Sequence, residues 1–244
     1  MQRRLVWVSR NGTEQPLSAP TLAYGYPRIS PDGQRVAVEL DNQIWLYDLS
    51  RDTLTRFTFE GSANQSPGWT PDGKRLAFRS NKEGRNNLFW QLADGSGGLE
   101  RLSSSQNTQN LTSWSGDGQL LAFFEIHPTS LRDIWVLRLS ERKAQPFLQT
   151  PFNEGGASFS PDGRWLAYVS NESGPRQIYV QPYPGPGGKM ADLDRRGDGA
   201  IVESQRARAV LPQRQQDDGR AGDDAAGLLG GQARHALRPG VRGD

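Results

Sequence analysis

A four-residue motif that suits a tight turn occurs four times in this chain, and this repetition constrains the fold more than any other feature. The motif reads SPDG at 30–33, TPDG at 70–73, SGDG at 115–118 and SPDG at 160–163. The copies begin 40, 45 and 45 residues apart. Self-similarity with a period of about 40–45 residues is typical of architectures that stack one supersecondary unit several times. We therefore expect four copies of one unit.

Each motif has the residues of a type I turn, with Ser or Thr first and Gly fourth. A left-handed glycine makes such a turn a bulged hairpin connection, and the aspartate accepts hydrogen bonds from nearby backbone N–H groups. Aspartates beside glycines also occur in calcium loops and among catalytic carboxylates, but recurrence at one place in the repeat favours a structural role. The predicted structural turn residues are Asp32, Gly33, Asp72, Gly73, Asp117, Gly118, Asp162 and Gly163.

A run of three apolar residues with a central Ala follows every turn. Consecutive apolar residues indicate a strand that is covered on both faces, whereas alternation would leave one face in water. The unit begins with a strand before the turn, and the apolar run after the turn is its second strand. A third strand with an aromatic residue and a short fourth strand follow, so the unit has four strands. The runs are Val36-Ala37-Val38, Leu76-Ala77-Phe78, Leu121-Ala122-Phe123 and Leu166-Ala167-Tyr168.

Four-stranded units of this kind must cover one another's faces, and radial stacking gives a β-propeller. The predicted fold class is therefore all-β, a propeller of four-stranded antiparallel blades; a β-sandwich with recurrent hairpins is the alternative. Residues 5–17 resemble the last two strands of a further blade. The chain thus provides a half-blade and four whole blades. We expect the full plan to have six blades, with one further blade whose strands are lost after Lys189 and a second half-blade that would close the ring.

The amino-acid composition of the chain changes after Lys189. Every Trp, Tyr and Phe lies before residue 190, and a stretch without aromatic residues has little from which to form a core. We therefore divide the chain into an incomplete propeller at 1–189 and an irregular tail at 190–244, which is predicted to be disordered. A reading-frame slip near Lys189 also explains the change, since a shifted frame permits another turn and its strands.

The composition and motifs exclude several functions. Lys and Arg number 29 against 27 Asp and Glu, without the clustered basic patch that nucleic-acid binding needs. The chain has no cysteine, no apolar run near the roughly 18 residues of a membrane span and no signal-peptide core. The stretch DLDRRGDGAIVE at 192–203 resembles a calcium loop, but Arg196 stands where an oxygen ligand is expected. With two histidines and no GxSxG motif, we predict no catalytic residue, no metal and no cofactor.

The repeats resemble the TolB-type, WD-repeat-like β-propellers of bacteria. The residues that carry this resemblance include YPRISPDGQRVAVELDNQIWLYDLS at 26–50 and FSPDGRWLAYVSNESGPRQIYVQPY at 159–183. The arrangement with LVWVSRNG in front is also similar to the sensor propellers of membrane-anchored bacterial serine/threonine kinases, and similar propellers precede the hydrolase domain of prolyl oligopeptidase-like peptidases. The resemblance implies an extracytoplasmic location and no shared catalytic residue.

The function that we predict is a non-enzymatic module that binds a protein or peptide on one rim or at the channel mouth. The alternatives are a detached regulatory propeller of a kinase or peptidase, and a non-functional product of a frameshifted gene. The innermost strands of a propeller line its channel, so the residue two positions before each turn motif is a candidate contact. The candidates are Arg28, Gly68, Ser113 and Ser158.

Overall fold

The computed structural model describes residues 2–9, 11–129, 131–185, 187–191 and 236–241. Within these ranges all regular structure is β-strand, arranged in five antiparallel sheets. The chain divides into two compact units. The described residues of the first are 2–9, 11–104 and 236–241, and those of the second are 105–129, 131–185 and 187–191. The predicted all-β class and the four blades of four antiparallel strands are confirmed, whereas the total of six blades stays a prediction.

The first unit begins with β1 (Arg3–Val8) and β2 (Glu14–Pro16) and continues with two complete blades. In each blade the four strands pair in chain order, which is the arrangement that successive hairpins produce. Blade 1 contains β3 (Gly25–Ile29), β4 (Arg35–Leu40), β5 (Gln43–Asp48) and β6 (Thr53–Arg56). Blade 2 contains β7 (Asn64–Trp69), β8 (Arg75–Ser80), β9 (Asn87–Leu92) and β10 (Glu100–Arg101).

The second unit contains two further blades with the same strand order. Blade 3 contains β11 (Thr108–Trp114), β12 (Leu120–His127), β13 (Leu131–Arg138) and β14 (Lys143–Leu148). Blade 4 contains β15 (Gly155–Phe159), β16 (Trp165–Ser170), β17 (Gln177–Pro182) and β18 (Met190–Ala191). The last of these strands lies just beyond residue 189, where the sequence predicted the blades to end.

The N-terminal half-blade is completed in part by a strand from the other end of the chain. Strand β19 (Ala236–Val241) pairs antiparallel with β1, which gives a sheet in the order β19-β1-β2. Both β18 and β19 fall inside the predicted tail. The rest of that tail, including the calcium-like stretch at 192–203, lies outside the described residues.

The hydrophobic cores lie between neighbouring sheets. The second strand of every blade is buried on both faces, as its three apolar residues predicted, and Ala37 and Ala77 are fully buried. In the first unit Ile44 and Phe57 of blade 1 pack with Phe78 of blade 2. A corresponding cluster joins blades 3 and 4. Burying aromatic and aliphatic side chains is the main favourable term in such packing, at roughly 1.5–3 kcal/mol per large side chain.

Among the residues that the structure describes, no helix has the length and apolar character needed to cross a lipid bilayer.

Candidate functional site

The SPDG-type turns are closed by hydrogen bonds within the motif itself. In the first turn the Ser30 hydroxyl donates to Asp32 Oδ1 at 2.5 Å, and the same carboxylate oxygen accepts from the backbone N–H of Gln34 at 3.0 Å. The Ser30 hydroxyl oxygen accepts from the backbone N–H of Arg35 at 2.9 Å. Gly33 has a φ of 71°, which favours glycine. The other three turns repeat these bonds around Asp72, Asp117 and Asp162, with Gly73, Gly118 and Gly163 at φ of 68–71°.

The same hydrogen bonds hold the four turn carboxylates in their ionised form. In each case the Ser or Thr hydroxyl is the main cause that lowers the pKa of the aspartate, and in the last turn the pKa of Asp162 falls to about 2. Within the described ranges no three His, Cys, Asp or Glu side chains come together in a way that could hold a metal ion. In all four motifs the aspartate accepts its hydrogen bonds from groups of its own turn.

The four predicted channel-side residues occupy equivalent positions in their blades. Each follows a β-bulge in the first strand and stands opposite the central Ala of the second strand. A bulge inserts one extra residue, bends the strand and redirects the residues that follow it. The four pairs across the sheets are Arg28 with Ala37, Gly68 with Ala77, Ser113 with Ala122 and Ser158 with Ala167.

Two of these residues bond to the next blade of their own unit. The carbonyl oxygen of Arg28 accepts a hydrogen bond from Trp69 Nε1 at 3.0 Å, and the hydroxyl of Ser113 accepts one from the backbone N–H of Phe159 at 3.1 Å. Gly68 and Ser158 are buried, and Arg28 and Ser113 are partly buried. The positions therefore contribute to packing between blades, and contact with a ligand stays a prediction for them.

A polar contact at the opposite strand ends was not found by the sequence reasoning. In the first unit Gln43 Oε1 accepts hydrogen bonds from Asn64 Nδ2 at 2.9 Å and from the Thr58 hydroxyl at 2.8 Å. Asn64 stands four residues before Gly68, and Gln43 directly precedes the buried Ile44. Both polar residues occupy fixed positions in the repeat. The sequence could have indicated this contact only after the four repeats were aligned and these positions compared.

The second unit has two acids at these two positions. Glu154 stands four residues before Ser158, and Asp133 directly precedes the buried Ile134. Glu154 is 0% exposed and Asp133 is 2% exposed. The Thr150 hydroxyl donates to Glu154 Oε1, whereas the buried Glu154 Oε2 has no hydrogen-bond partner among the described residues.

The burial of Glu154 is the main cause that raises its pKa to about 7. The negative charges of Asp133 and Glu172 raise the pKa further, while the Thr150 hydrogen bond and the charge of Lys189 lower it. A carboxyl group that loses water without gaining a full set of donors favours its neutral form.

The exposed large apolar residues lie at the strand ends opposite the turns. At those ends the chain passes from the second to the third strand and from one blade to the next. Every described large apolar residue that is at least 40% exposed belongs to one of these connections or to the strand ends beside them: Phe59, Ile126, Leu131 and Phe152. We call these four side chains the apolar rim residues.

Phe59 is the most exposed of the apolar rim residues, at 74%. The guanidinium carbon of Arg56 lies 5.3 Å from the centroid of its ring, and Arg56 Nε donates to the carbonyl oxygen of Thr58 at 2.7 Å. The last residue of β6 therefore places its cation over the exposed ring of Phe59. Exposed aromatic and arginine side chains are the residue types that dominate protein–protein contacts.

A family model described as the TolB beta propeller domain matches residues 6–131 of this chain. An uncharacterized protein of Agrobacterium fabrum is 26% identical over 157 residues, which are 63% of this chain and 53% of that protein. Tricorn protease homolog 1 of Streptomyces coelicolor is 25% identical over 193 residues, which are 78% of this chain and 17% of that protein. The chain thus matches about half of the first relative and a much smaller share of the second.

Solved structures show the same fold. A putative TolB from Agrobacterium tumefaciens superimposes with a TM-score of 0.73 at 20% sequence identity, and the match covers 81% of this chain and 73% of the other. The TM-score shows that the two chains share a fold.

Proposed function

The chain belongs to the TolB β-propeller domain family, and from this premise we propose that it is a non-enzymatic module that binds a protein or peptide. The partner contacts the apolar rim residues of one unit, which are Phe59 in the first unit and Ile126, Leu131 and Phe152 in the second. The chain itself supplies no catalytic group. A propeller of this family carries its specificity in the connections at the strand ends, because the blades themselves are committed to packing on one another.

The observation that carries this proposal is the difference between the two ends of the strands. At the turn end the aspartates and hydroxyls of the four motifs bond within their own motif, so these particular groups are already paired. At the other end the apolar rim residues are exposed, and Arg56 stacks on Phe59. Phenylalanine and arginine are among the residue types that are enriched in protein–protein interfaces.

Selection of peptides from a random library displayed on phage, with the full chain as the target, tests this proposal. Selected peptides are then titrated calorimetrically against the wild type and against the variants Phe59→Ser and Phe152→Ser. We expect at least one of the two variants to weaken binding about tenfold, since removing an interface aromatic residue costs about 1–2 kcal/mol or more.

The matched control is Arg51→Ser, which changes an exposed residue in the turn between β5 and β6 at the opposite strand end. This variant is expected to bind the selected peptides as the wild type does. A library that yields no binding peptide, or peptides that bind both rim variants with unchanged affinity, would contradict the proposal.

A second candidate function is a regulatory propeller that acts beside an enzyme domain. It is favoured by the relative that is a protease homologue in Streptomyces coelicolor, of which this chain matches only 17%. The coding sequence on both sides distinguishes the candidates. An adjoining frame for a kinase or hydrolase domain supports the regulatory role, and flanks without either domain oppose it.

The same nucleotide sequence tests the predicted frame slip near Lys189. A frame shifted by one nucleotide that encodes a further turn motif and its strands would support a damaged gene product. A shifted frame without those strands would remove that explanation of the tail.

A further inference from the structure

The contact between blades 3 and 4 contains a buried carboxyl group that lacks a hydrogen-bond donor. Glu154 lies directly before β15, and its backbone N–H donates to the carbonyl oxygen of Arg132 in β13 at 3.0 Å. Its side chain receives one hydrogen bond, from the Thr150 hydroxyl, while Oε2 is buried without a partner. Leaving a buried polar atom unsatisfied is unfavourable, and more so when the atom is charged.

In the first unit the position equivalent to Glu154 carries a hydrogen-bond donor. There Asn64 takes the place of Glu154, and its amide Nδ2 donates to Gln43 Oε1 at 2.9 Å and to the carbonyl oxygen of Glu60 at 2.8 Å. In the second unit the residues at these positions are Glu154 and Asp133, which are both acceptors when ionised. A proton on the glutamate restores the missing donor and removes one of two neighbouring negative charges.

The other charged and titratable groups around Glu154 do not replace that proton. Lys189 Nζ bonds to Glu172 at 2.6 Å, so the nearest ammonium is already paired with a carboxylate. Glu125, which is opposite Asp133 in the sheet, accepts from the amides of Gln109 and Asn107. Arg132 stacks over the Phe124 ring at 4.9 Å. The titratable groups that interact electrostatically with Glu154 are Asp133, Tyr168, Glu172 and Lys189. Arg132 bonds to Glu154 through its backbone carbonyl, and Glu125 lies one strand further away, opposite Asp133.

We propose that Glu154 is a proton-binding site within the contact between blades 3 and 4, and that loss of its proton above neutral pH loosens the packing of β13 against β15. The protonated form places a neutral O–H donor beside Asp133. The ionised form places a second negative charge in the same buried contact, where water does not screen it.

The direction of the pH effect follows from the proton balance. Burial raises the pKa of Glu154 from its ordinary value of 4.5 to about 7 in the folded chain. Between these two values the folded state binds more protons than the unfolded state, so stability falls as the pH rises. The loss begins near the unfolded pKa and is complete above the folded one.

Carboxyl ¹³C NMR of the full chain, with labelled glutamate, tests the site directly. We expect one glutamate Cδ to titrate between pH 6 and 8 in the wild type and to be absent from the spectrum of Glu154→Gln. Asp133→Asn is expected to lower the midpoint of this resonance. If every glutamate of the wild type titrates below pH 5.5, the proposal is wrong, and this result does not depend on any variant folding.

Urea unfolding at pH 5.5 and pH 8.5 tests the consequence for packing. Relative to Glu154→Gln, the folding equilibrium constant of the wild type is expected to fall at least about tenfold between these pH values, which corresponds to about one unit of pKa difference. The control Glu141→Gln removes an exposed carboxylate of the same unit, which pairs with Arg138 at 3.4 Å, and should keep the wild-type pH dependence. Equal pH dependence in wild type and Glu154→Gln would overturn the proposed loosening.

Discussion

Trp69 Nε1 donates a hydrogen bond of 3.0 Å to the carbonyl oxygen of Arg28, and this bond joins blade 2 to the bulged strand of blade 1. The guanidinium carbon of Arg35 lies 4.9 Å from the centroid of the Trp69 ring, and Arg35 also donates to the carbonyl oxygen of Ala93 at 2.7 Å. In the second unit Phe159 has no indole N–H, and its backbone N–H bonds to the Ser113 hydroxyl instead. The blades of the two units are therefore joined at equivalent positions by different hydrogen bonds. The first unit uses an indole N–H and a backbone carbonyl, and the second uses a backbone N–H and a serine hydroxyl.

The substitution Trp69→Phe is expected to lower the free energy of unfolding by about 1–2 kcal/mol, because it keeps an aromatic ring but leaves the Arg28 carbonyl without its indole donor. Urea unfolding monitored by circular dichroism measures this loss. Trp45→Phe is the matched control, since Trp45 Nε1 is buried without a hydrogen-bond partner among the described residues. A loss that is as large for Trp45→Phe would show that the hydrogen bond is not the cause.

The third turn departs from the SPDG pattern for a steric reason. A Cβ atom built on Gly116 would lie 2.4 Å from the carbonyl oxygen of Pro161 in the next turn. Restoring the proline of the other turns, as Gly116→Pro, is therefore expected to destabilise the protein by about 1–3 kcal/mol, as overpacking does.

Thermal unfolding measures the effect of Gly116→Pro, with Gly98→Ala as the control. An added Cβ at Gly98 meets nothing within 4 Å, so this control should stay close to the wild type. A Gly116→Pro variant that melts at or above the wild-type temperature would contradict the predicted collision.

The first-strand bulge contains a left-handed residue that differs between blades. Ser66 of blade 2 has a φ of 53°, and the equivalent Gly156 of blade 4 has a φ of 60°. A side chain at such a φ costs roughly 1 kcal/mol, which glycine does not incur. We expect Ser66→Gly to raise and Gly156→Ser to lower the free energy of unfolding by about this amount. Chemical unfolding of both variants measures the two changes, and shifts of equal sign would argue against backbone strain.

Because the turn aspartates have lowered pKa values in the folded chain, we expect the protein to lose stability in acid. The Ser160 hydroxyl is the main cause that lowers the pKa of Asp162 to about 2 from an ordinary value of 3.8. A carboxylate with a lowered folded pKa contributes stability above its unfolded pKa, and this contribution disappears as the pH falls from about 4 to about 2. Asp162→Asn should therefore be less stable than the wild type at pH 6, and the difference should shrink below pH 3.

Unfolding curves at pH 6, 4 and 2.5 measure this convergence. Glu141→Gln serves again as the control, because its carboxylate is exposed and lies outside the turns. If the difference between Asp162→Asn and the wild type is the same at all three pH values, ionisation of Asp162 does not contribute to the turn.

Much of the fold could be predicted because its signals are local and repeated. The turn motifs and the apolar runs around Ala37 and Ala77 depend on neighbours a few residues away, and the structure places both as expected. The strands Met190–Ala191 and Ala236–Val241 were not predicted, because neither carries a strong pattern of its own and each is defined by the strand on which it pairs.

The sequence by itself determined the blade, its four strands and its closed turn, because backbone conformation and two-sided burial follow from residues that are adjacent in the chain. Only the tertiary structure decided that Arg28 and Ser113 bond to the following blade and that the charge of Asp133 raises the pKa of Glu154. These contacts join residues 20 to 50 positions apart. Arg28 and Ser113 each follow a one-residue bulge that redirects the first strand, and the order of residue types does not reveal where such a bulge sends its neighbours.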